Sequence, residues 1–148
     1  LTTSESEIEG IYRFTIVIHV TKDQVVKVVN QIKKIVDVMT AFFFSEDEIV
    51  YQEIALYKIK SSTLLGSNVE MVVRKNAARI LYVDQEFTVI EKTGHKEETQ
   101  ELFDKLKPFG ILEFVRSGRV AIARPMPNLH SWLEEVGLTD KFLVNPKK

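Results

Sequence analysis

Residues 79–92 read RILYVDQEFTVIEK. Arg79 to Asp84 and Phe87 to Lys92 are two short β-type runs with only Gln85-Glu86 between them, so an antiparallel hairpin is the economical reading. What flanks the hairpin decides the fold. Upstream, Ser67 and Glu70 stand at capping-box spacing, and Val69, Val72 and Val73 mark a short helix ending near Asn76-Ala77-Ala78. Before it, Ile49 to Ile59 alternates around Ile54, Leu56 and Tyr57 as a strand, followed by a Ser-Ser-Thr loop and Gly66. Downstream of Gly94, Leu102, Phe103, Leu106 and Phe109 form a helical stripe that Pro108 and Gly110 bring to a stop. Ile111 to Val115 and Arg119 to Ala123 then read as a strand interrupted at Ser117-Gly118.

Strand, helix, strand, strand, helix, strand is the split βαβ order, in which two helices cover one face of an antiparallel sheet: a ferredoxin-like unit. The block before it begins with Tyr12, Phe14, Ile16, Ile18 and Val20 alternating with less apolar neighbours, a strand over Ile11 to Val20. Thr21 and Gln24 have capping-box spacing, and Val25, Val28, Val29, Ile32, Ile35 and Val36 make one helical stripe. Asp37 to Phe44, rich in strand-forming aromatics, follows and ends at the acidic cluster Ser45-Glu46-Asp47-Glu48. Strand, helix, strand is the back half of a second such unit without its opening strand and helix. The expected class is α+β, with two βαββαβ units on antiparallel sheets. The expected domains are 1–45, a partial unit; 46–125, a complete one; and 126–148, a tail with a short helix from Leu129 through Trp132, Leu133 and Val136 and a polar end at Asn145-Pro146-Lys147-Lys148.

A chain of 148 residues has room for one ordinary domain or two small ones. Lys and Arg number 20 against 21 Asp and Glu, so no whole-chain field draws it to nucleic acid or anionic membrane. Cysteine is absent, which excludes disulfides, thiolate metal sites and cysteine nucleophiles and suits a reducing cytoplasm. Runs such as Ile16-Val17-Ile18 and Ala41-Phe42-Phe43-Phe44 fall far short of the ~20 apolar residues that span a bilayer. The opening Leu1 to Gly10 has neither the basic start nor the apolar stretch of a signal peptide, and a first residue other than Met suggests a chain that begins inside a longer protein.

Catalytic signals are weak. His19, His95 and His130 are scattered over three elements with no metal-ligand spacing, so no metal is expected. Glu46-Asp47-Glu48 and Glu97-Glu98 read as solvated charge, the latter at a helix start where the dipole favours carboxylates. The glycines at 66, 94, 110 and 118 are isolated, so no phosphate loop and no cofactor are expected. Tyr82 and Phe87 could serve an RNA-binding sheet, but the basic-glycine-aromatic pattern is missing. Arg116, Arg119 and Arg124 flank Gly118 and admit two readings: edge-strand charge that discourages aggregation, which weighs slightly more, or a site for an anion or an acidic partner surface.

Three stretches carry a resemblance to a known family: Tyr12-Arg13-Phe14-Thr15-Ile16 with Val25 to Val36 and Asp37-Val38; Gln52-Glu53-Ile54-Ala55-Leu56-Tyr57-Lys58-Ile59; and Phe114-Val115-Arg116-Ser117-Gly118-Arg119-Val120-Ala121-Ile122-Ala123-Arg124. Ala78-Arg79-Ile80 also fits. Together they resemble the small regulatory subunit of acetolactate synthase, over about Leu1 to Arg124. The resemblance implies an N-terminal ACT domain joined to a C-terminal ferredoxin-like domain, a homodimer through the ACT sheets, activation of the catalytic (large) subunit, and feedback inhibition by valine in branched-chain amino acid biosynthesis. It implies no catalysis and no cofactor in this chain, the thiamine-diphosphate chemistry belonging to the catalytic subunit. The family's valine pocket would precede Leu1, so the effector-binding residues are unknown here and no valine ligand is assigned. Arg116 and Arg119 are the candidate subunit interface. The alternative is an amino-acid-sensing ACT-like module of a transcription regulator, although no helix-turn-helix is visible.

Overall fold

The computed structural model describes residues 1–66, 68–124 and 129–137. It divides into two compact units, one of residues 3–50 with the described residues from 121 onward, the other of residues 51–120; Leu1 goes with the first and Thr2 with the second.

The first unit opens with an element absent from the sequence reading. β1 (Thr2–Glu5) and β2 (Tyr12–Thr15) form a two-stranded sheet. In their connection the Ser6 amide donates to the Ile11 carbonyl at 3.1 Å, Ser6 Oγ accepts from the Ile8 amide at 3.1 Å, and Gly10 supplies the left-handed φ of +81° that closes the turn. Ile8 is buried beneath it. The strand expected over Ile11 to Val20 is thus shorter. β1 supplies four residues, the ladder ends with them at Thr15, and Ile16 to Val20 stay extended in composition but outside any sheet.

α1 (Lys22–Ile32) starts where the capping box places it. Thr21 Oγ1 accepts from the Gln24 amide at 3.4 Å, and Gln24 Oε1 accepts from the Thr21 amide at 3.0 Å. Ile35 and Val36 fall beyond the helix, in tight turns closed by Lys34 to Gln31 and Ile35 to Ile32 backbone bonds. The strand expected over Asp37 to Phe44 is not formed either, because no described strand lies beside it to take its backbone hydrogen bonds. Instead Ala41 to Phe44 and the Val26, Val29, Asn30 and Lys33 side of α1 line a half-open groove of about 220 Å³. A 3₁₀ turn (Glu46–Glu48) follows, with the Ser45 amide donating to Glu48 Oε2 at 2.8 Å. That bond holds the Glu48 carboxyl below its ordinary range, and the Ser45 side chain does the same for Asp47. The acidic cluster is therefore solvated and capping, as its composition suggests.

The second unit is built on β3 (Ile49–Lys60), whose side chains alternate strictly between the two faces. Tyr51, Glu53, Ala55, Tyr57 and Ile59 are buried; of the three residues that centre the alternation in sequence, Tyr57 is on this inner face and Ile54 and Leu56 lie on the opposite one. The polar Glu53 at an inner position is what obscures the phase. α2 (Ser61–Gly66) corrects the expected loop: the Ser61 amide donates to the Glu86 carbonyl at 3.1 Å, its hydroxyl pairs with Thr88 Oγ1 at 2.9 Å, and Leu64 reaches the core. α3 (Val69–Lys75) appears where expected, though Ser67, its expected cap, lies outside the described residues and Asn68 stands as N-cap.

β4 (Arg79–Val83) and β5 (Phe87–Gly94) form the expected antiparallel hairpin; Asp84 Oδ1 accepts from the Glu86 and Phe87 amides, which lowers its carboxyl. α4 (Lys96–Leu106) passes into a 3₁₀ turn at Lys107–Phe109, ended by Gly110 at φ +83°, and β6 (Ile111–Arg116) completes the unit. The strand order is β4-β5-β3-β6, with Tyr57 opposite both Ile90 and Phe114. β7 (Val120–Ala123) also pairs with β3, and α5 (Leu129–Glu135) buries Leu133. Pro125, the tail from Met126 to Asn128 and the polar end from residue 138 lie outside the described residues.

One face of the sheet makes the core. Ala55, Tyr57, Ile59 and Ile90 pack against Val69 and Val73 of α3 and Leu102 and Leu106 of α4. Full burial of each large aliphatic side chain contributes about 1.5–3 kcal/mol, which outweighs the helices' own propensities. The α+β class with antiparallel sheets stands.

Ala77 joins α3 to β4 at φ +49°, a left-handed conformation in a residue that has a Cβ. Ala77→Gly relieves that strain at some cost in chain entropy, and is expected to raise unfolding free energy by about 0.5–1 kcal/mol in a urea titration. An unchanged or lowered midpoint would contradict the assigned conformation.

Candidate functional site

Glu53 is the one charged side chain on the inner face of β3, and two arginines answer it. Arg116 closes β6, opposite Ala55 in the ladder, and its Nε stands 3.9 Å from Glu53 Oε2. Beyond β6 the chain does not leave the sheet at once. The Ser117 amide donates to the Ile54 carbonyl at 2.9 Å, and Ser117 Oγ accepts from the Ile54 amide at 2.9 Å, so a side chain continues the ladder for one residue. Gly118 follows, and Arg119 returns to the same carboxylate, its Nε 3.7 Å from Glu53 Oε1.

Aromatic groups and the start of α4 finish the site. The Arg119 guanidinium lies 4.0 Å from the centre of the Tyr51 ring, and His95 stacks on Tyr51 at 4.1 Å with an 11° angle between the rings. His95 is the N-cap of α4, its amide donating to Glu98 Oε2 at 2.8 Å, so the expected helix-start role of Glu98 holds and the loop histidine gains a place. An added Cβ at Gly94 would come within 2.8 Å of Glu98 Oε2, so a larger residue there would push aside the carboxylate that caps the helix. Arg116 also donates to Thr99 Oγ1 at 3.3 Å, while the Thr99 carbonyl accepts from the Tyr57 hydroxyl at 2.6 Å. Burial pushes the Tyr57 phenol up to about 12, against a smaller opposing pull from Arg116.

Both arginines singled out by sequence therefore come together, but on a carboxylate of their own unit rather than in open solvent: their side chains are 22% and 18% exposed. Arg124 is exposed, and its backbone amide donates to the Glu48 carbonyl at 2.8 Å. Sequence reasoning missed Glu53, Tyr51, His95 and Thr99. The available signal was a carboxylate on the inner phase of a strand, which demands a partner elsewhere in the chain. Chemically the arrangement is a clamp. Both Glu53 oxygens face guanidinium groups, so the carboxylate has little freedom to act as a general base. Among the described residues no group of three or more His, Asp or Glu is placed to hold a metal ion, and no helix is long and apolar enough to cross a membrane.

Residues 52–125, which begin beside Tyr51 and take in the whole clamp from Glu53 to Arg119, match the family model described as the small subunit of acetolactate synthase. The acetolactate synthase small subunit of Bacillus subtilis is 30% identical over 125 residues, covering 84% of this chain and 73% of that protein. The chain belongs to the acetolactate synthase small-subunit family. Small subunits from Mycolicibacterium smegmatis, 29% identical over 84% of this chain and 73% of that one, and from Aquifex aeolicus, 30% identical over 85% and 66%, agree. The crystal structure of the Thermotoga maritima small subunit superposes with a TM-score of 0.74, covering 85% of this chain and 79% of that chain at 24% identity, which establishes a shared fold.

Two outcomes test the clamp of this small subunit. Glu53→Gln keeps the shape and leaves two guanidiniums facing one another, so it is expected to cost about 1–3 kcal/mol in urea unfolding, partly restored by adding Arg119→Met. Strict additivity would show that the contacts carry no coupling. Tyr57 supplies a pH signature: its folded value of about 12 lies above the ordinary 10.0, so its contribution is complete below pH 10 and lost as pH rises through 12. Tyr57→Phe should flatten that alkaline loss; an unchanged profile would contradict the assignment.

Proposed function

We propose that this chain is a non-catalytic regulatory subunit that activates the catalytic subunit of acetolactate synthase and transmits feedback inhibition by valine in branched-chain amino acid biosynthesis. The observation that carries the reading is the alignment with family small subunits over 84% of the chain, across both units. The thiamine-diphosphate chemistry then belongs to the catalytic subunit, and this chain binds no cofactor. Its place is the cytoplasm. The domains are 1–45, 46–125 and 126–148, the first a partial ACT domain whose sheet pairs with that of a second copy. The valine pocket is assigned to no residue of this chain.

Activation works by differential affinity: a subunit that binds a competent conformation of the enzyme better than an incompetent one raises the population of the former. Arg116 and Arg119 are the proposed subunit interface. Held by Glu53, they act on it by fixing the turn at Ser117-Gly118 as much as by their exposed edges.

The test is acetolactate formation by a purified catalytic subunit titrated with this chain, with and without valine. A saturable rise in rate is expected, and no rise would contradict the reading. Arg116→Gln and Arg119→Gln, checked for retained fold by circular dichroism, should each lower the plateau or shift the midpoint. Glutamine is preferred to charge reversal, which would set a carboxylate against Glu53. Unchanged activation by the double variant would remove the arginines from the interface.

A further inference from the structure

Tyr51 is 7% exposed, yet it lies outside the cluster of buried side chains that Tyr57 and Ile90 share with α3 and α4. Groups from other elements cover it. The Arg119 guanidinium stands 4.0 Å from the centre of its ring and the His95 imidazole 4.1 Å from it, the two rings 11° from parallel. Two flat groups that close to one ring centre would collide on the same face, so His95, Tyr51 and Arg119 form a three-layer stack with the phenol ring in the middle. The layers come from three places in the chain: the residue before α4, the first turn of residues in β3, and the turn after β6.

His95 thus has two separable tasks. It is the N-cap of α4, which Asn or Asp would serve at least as well, and it supplies a flat ring. Capping does not call for an aromatic side chain; the stack does. Arg119 is drawn to Glu53 through Nε, 3.7 Å from Oε1, and to the π face of Tyr51, and the second contact fixes the guanidinium only while the phenol ring is itself fixed. His95, exposed and on the far face of that ring, closes the face against water and keeps the ring from tilting. A guanidinium already held in one orientation loses less freedom on binding than one that samples several. We infer that His95 is a positioning residue, acting through Tyr51 to hold Arg119 in the orientation that it presents to the catalytic subunit. This rests on the interface reading above and gives a role in it to a side chain that a whole ring separates from the arginine.

Two variants of the full chain part the ring from the cap. His95→Asn keeps a cap and removes the stacked ring, whereas His95→Phe keeps a ring and removes the cap. When each is titrated into the catalytic subunit, His95→Asn should raise the midpoint of activation by about three-fold or more without changing the plateau rate, and His95→Phe should restore the parent's midpoint although its urea midpoint falls. A second measurement stands apart from activation: the urea midpoint shifts of His95→Asn and Arg119→Gln should fail to add in the double variant, and should add in a Tyr51→Leu background. Additive shifts with Tyr51 in place overturn the inference. Activation weakened by Arg119→Gln but untouched by His95→Asn overturns it too and leaves the interface reading standing. Activation indifferent to both substitutions overturns that reading together with the role assigned to His95.

Discussion

Glu53 occupies a position of β3 where the neighbouring inward side chains are Tyr51, Ala55, Tyr57 and Ile59, and its charge has to be balanced there. Withdrawing a carboxylate from water costs several kcal/mol. Two guanidiniums at 3.7 and 3.9 Å return about 4 kcal/mol each at an effective dielectric near 20, less their mutual repulsion. The balance is small, so the cluster does little for net stability. What it determines is geometry. Arg116 must end β6 beside Ala55, Ser117 must continue the ladder on Ile54, and Gly118 must let Arg119 return over Tyr51. Tyr51 in turn stacks on His95, the cap of α4. One buried charge thereby ties the ends of two strands to the start of a helix.

The two units differ in how their backbones are satisfied. In the second, β3 has β5 on one side and β6 on the other, and its inner face is closed by α3 and α4. In the first, ladder pairing stops at Thr15, the aromatic run Phe42 to Phe44 lies outside any sheet, and Ile16, Val17, Ile18, Val20 and Phe43 remain exposed. Apolar residues left outside a sheet in this number make a surface that water does not favour. The proposed pairing of first units between copies would give it cover.

Much of the second unit was legible because its signals are local. The hairpin rests on two β-rich runs two residues apart and α4 on its apolar stripe with Pro108 and Gly110 behind it; in the first unit, α1 rests likewise on a local signal, the Thr21–Gln24 box. The failures have physical causes. Ser61 to Gly66 looks like a loop by composition, but Ser61 is fastened to Glu86 and Thr88 and Leu64 finds the core, so packing overrides the serines. Asp37 to Phe44 has strand composition without a strand neighbour, and composition cannot supply one. For the site, sequence picked out Arg116 and Arg119 by their place around Gly118 yet could not say what they face. Glu53 is 63 and 66 residues away along the chain, and only the antiparallel pairing of β3 with β6 brings it there.

In the second unit a carboxylate is held by two arginines, a phenol is committed to a backbone carbonyl, and Ile54, Tyr82 and Val115 are exposed. The central functional claim is that the chain forms a complex with an acetolactate synthase catalytic subunit, and calorimetric titration of one purified protein into the other tests it most directly. The account predicts saturable binding with a fixed stoichiometry and the negative heat-capacity change of apolar burial. No binding heat at several temperatures, together with separate sedimentation of the two proteins, would contradict it.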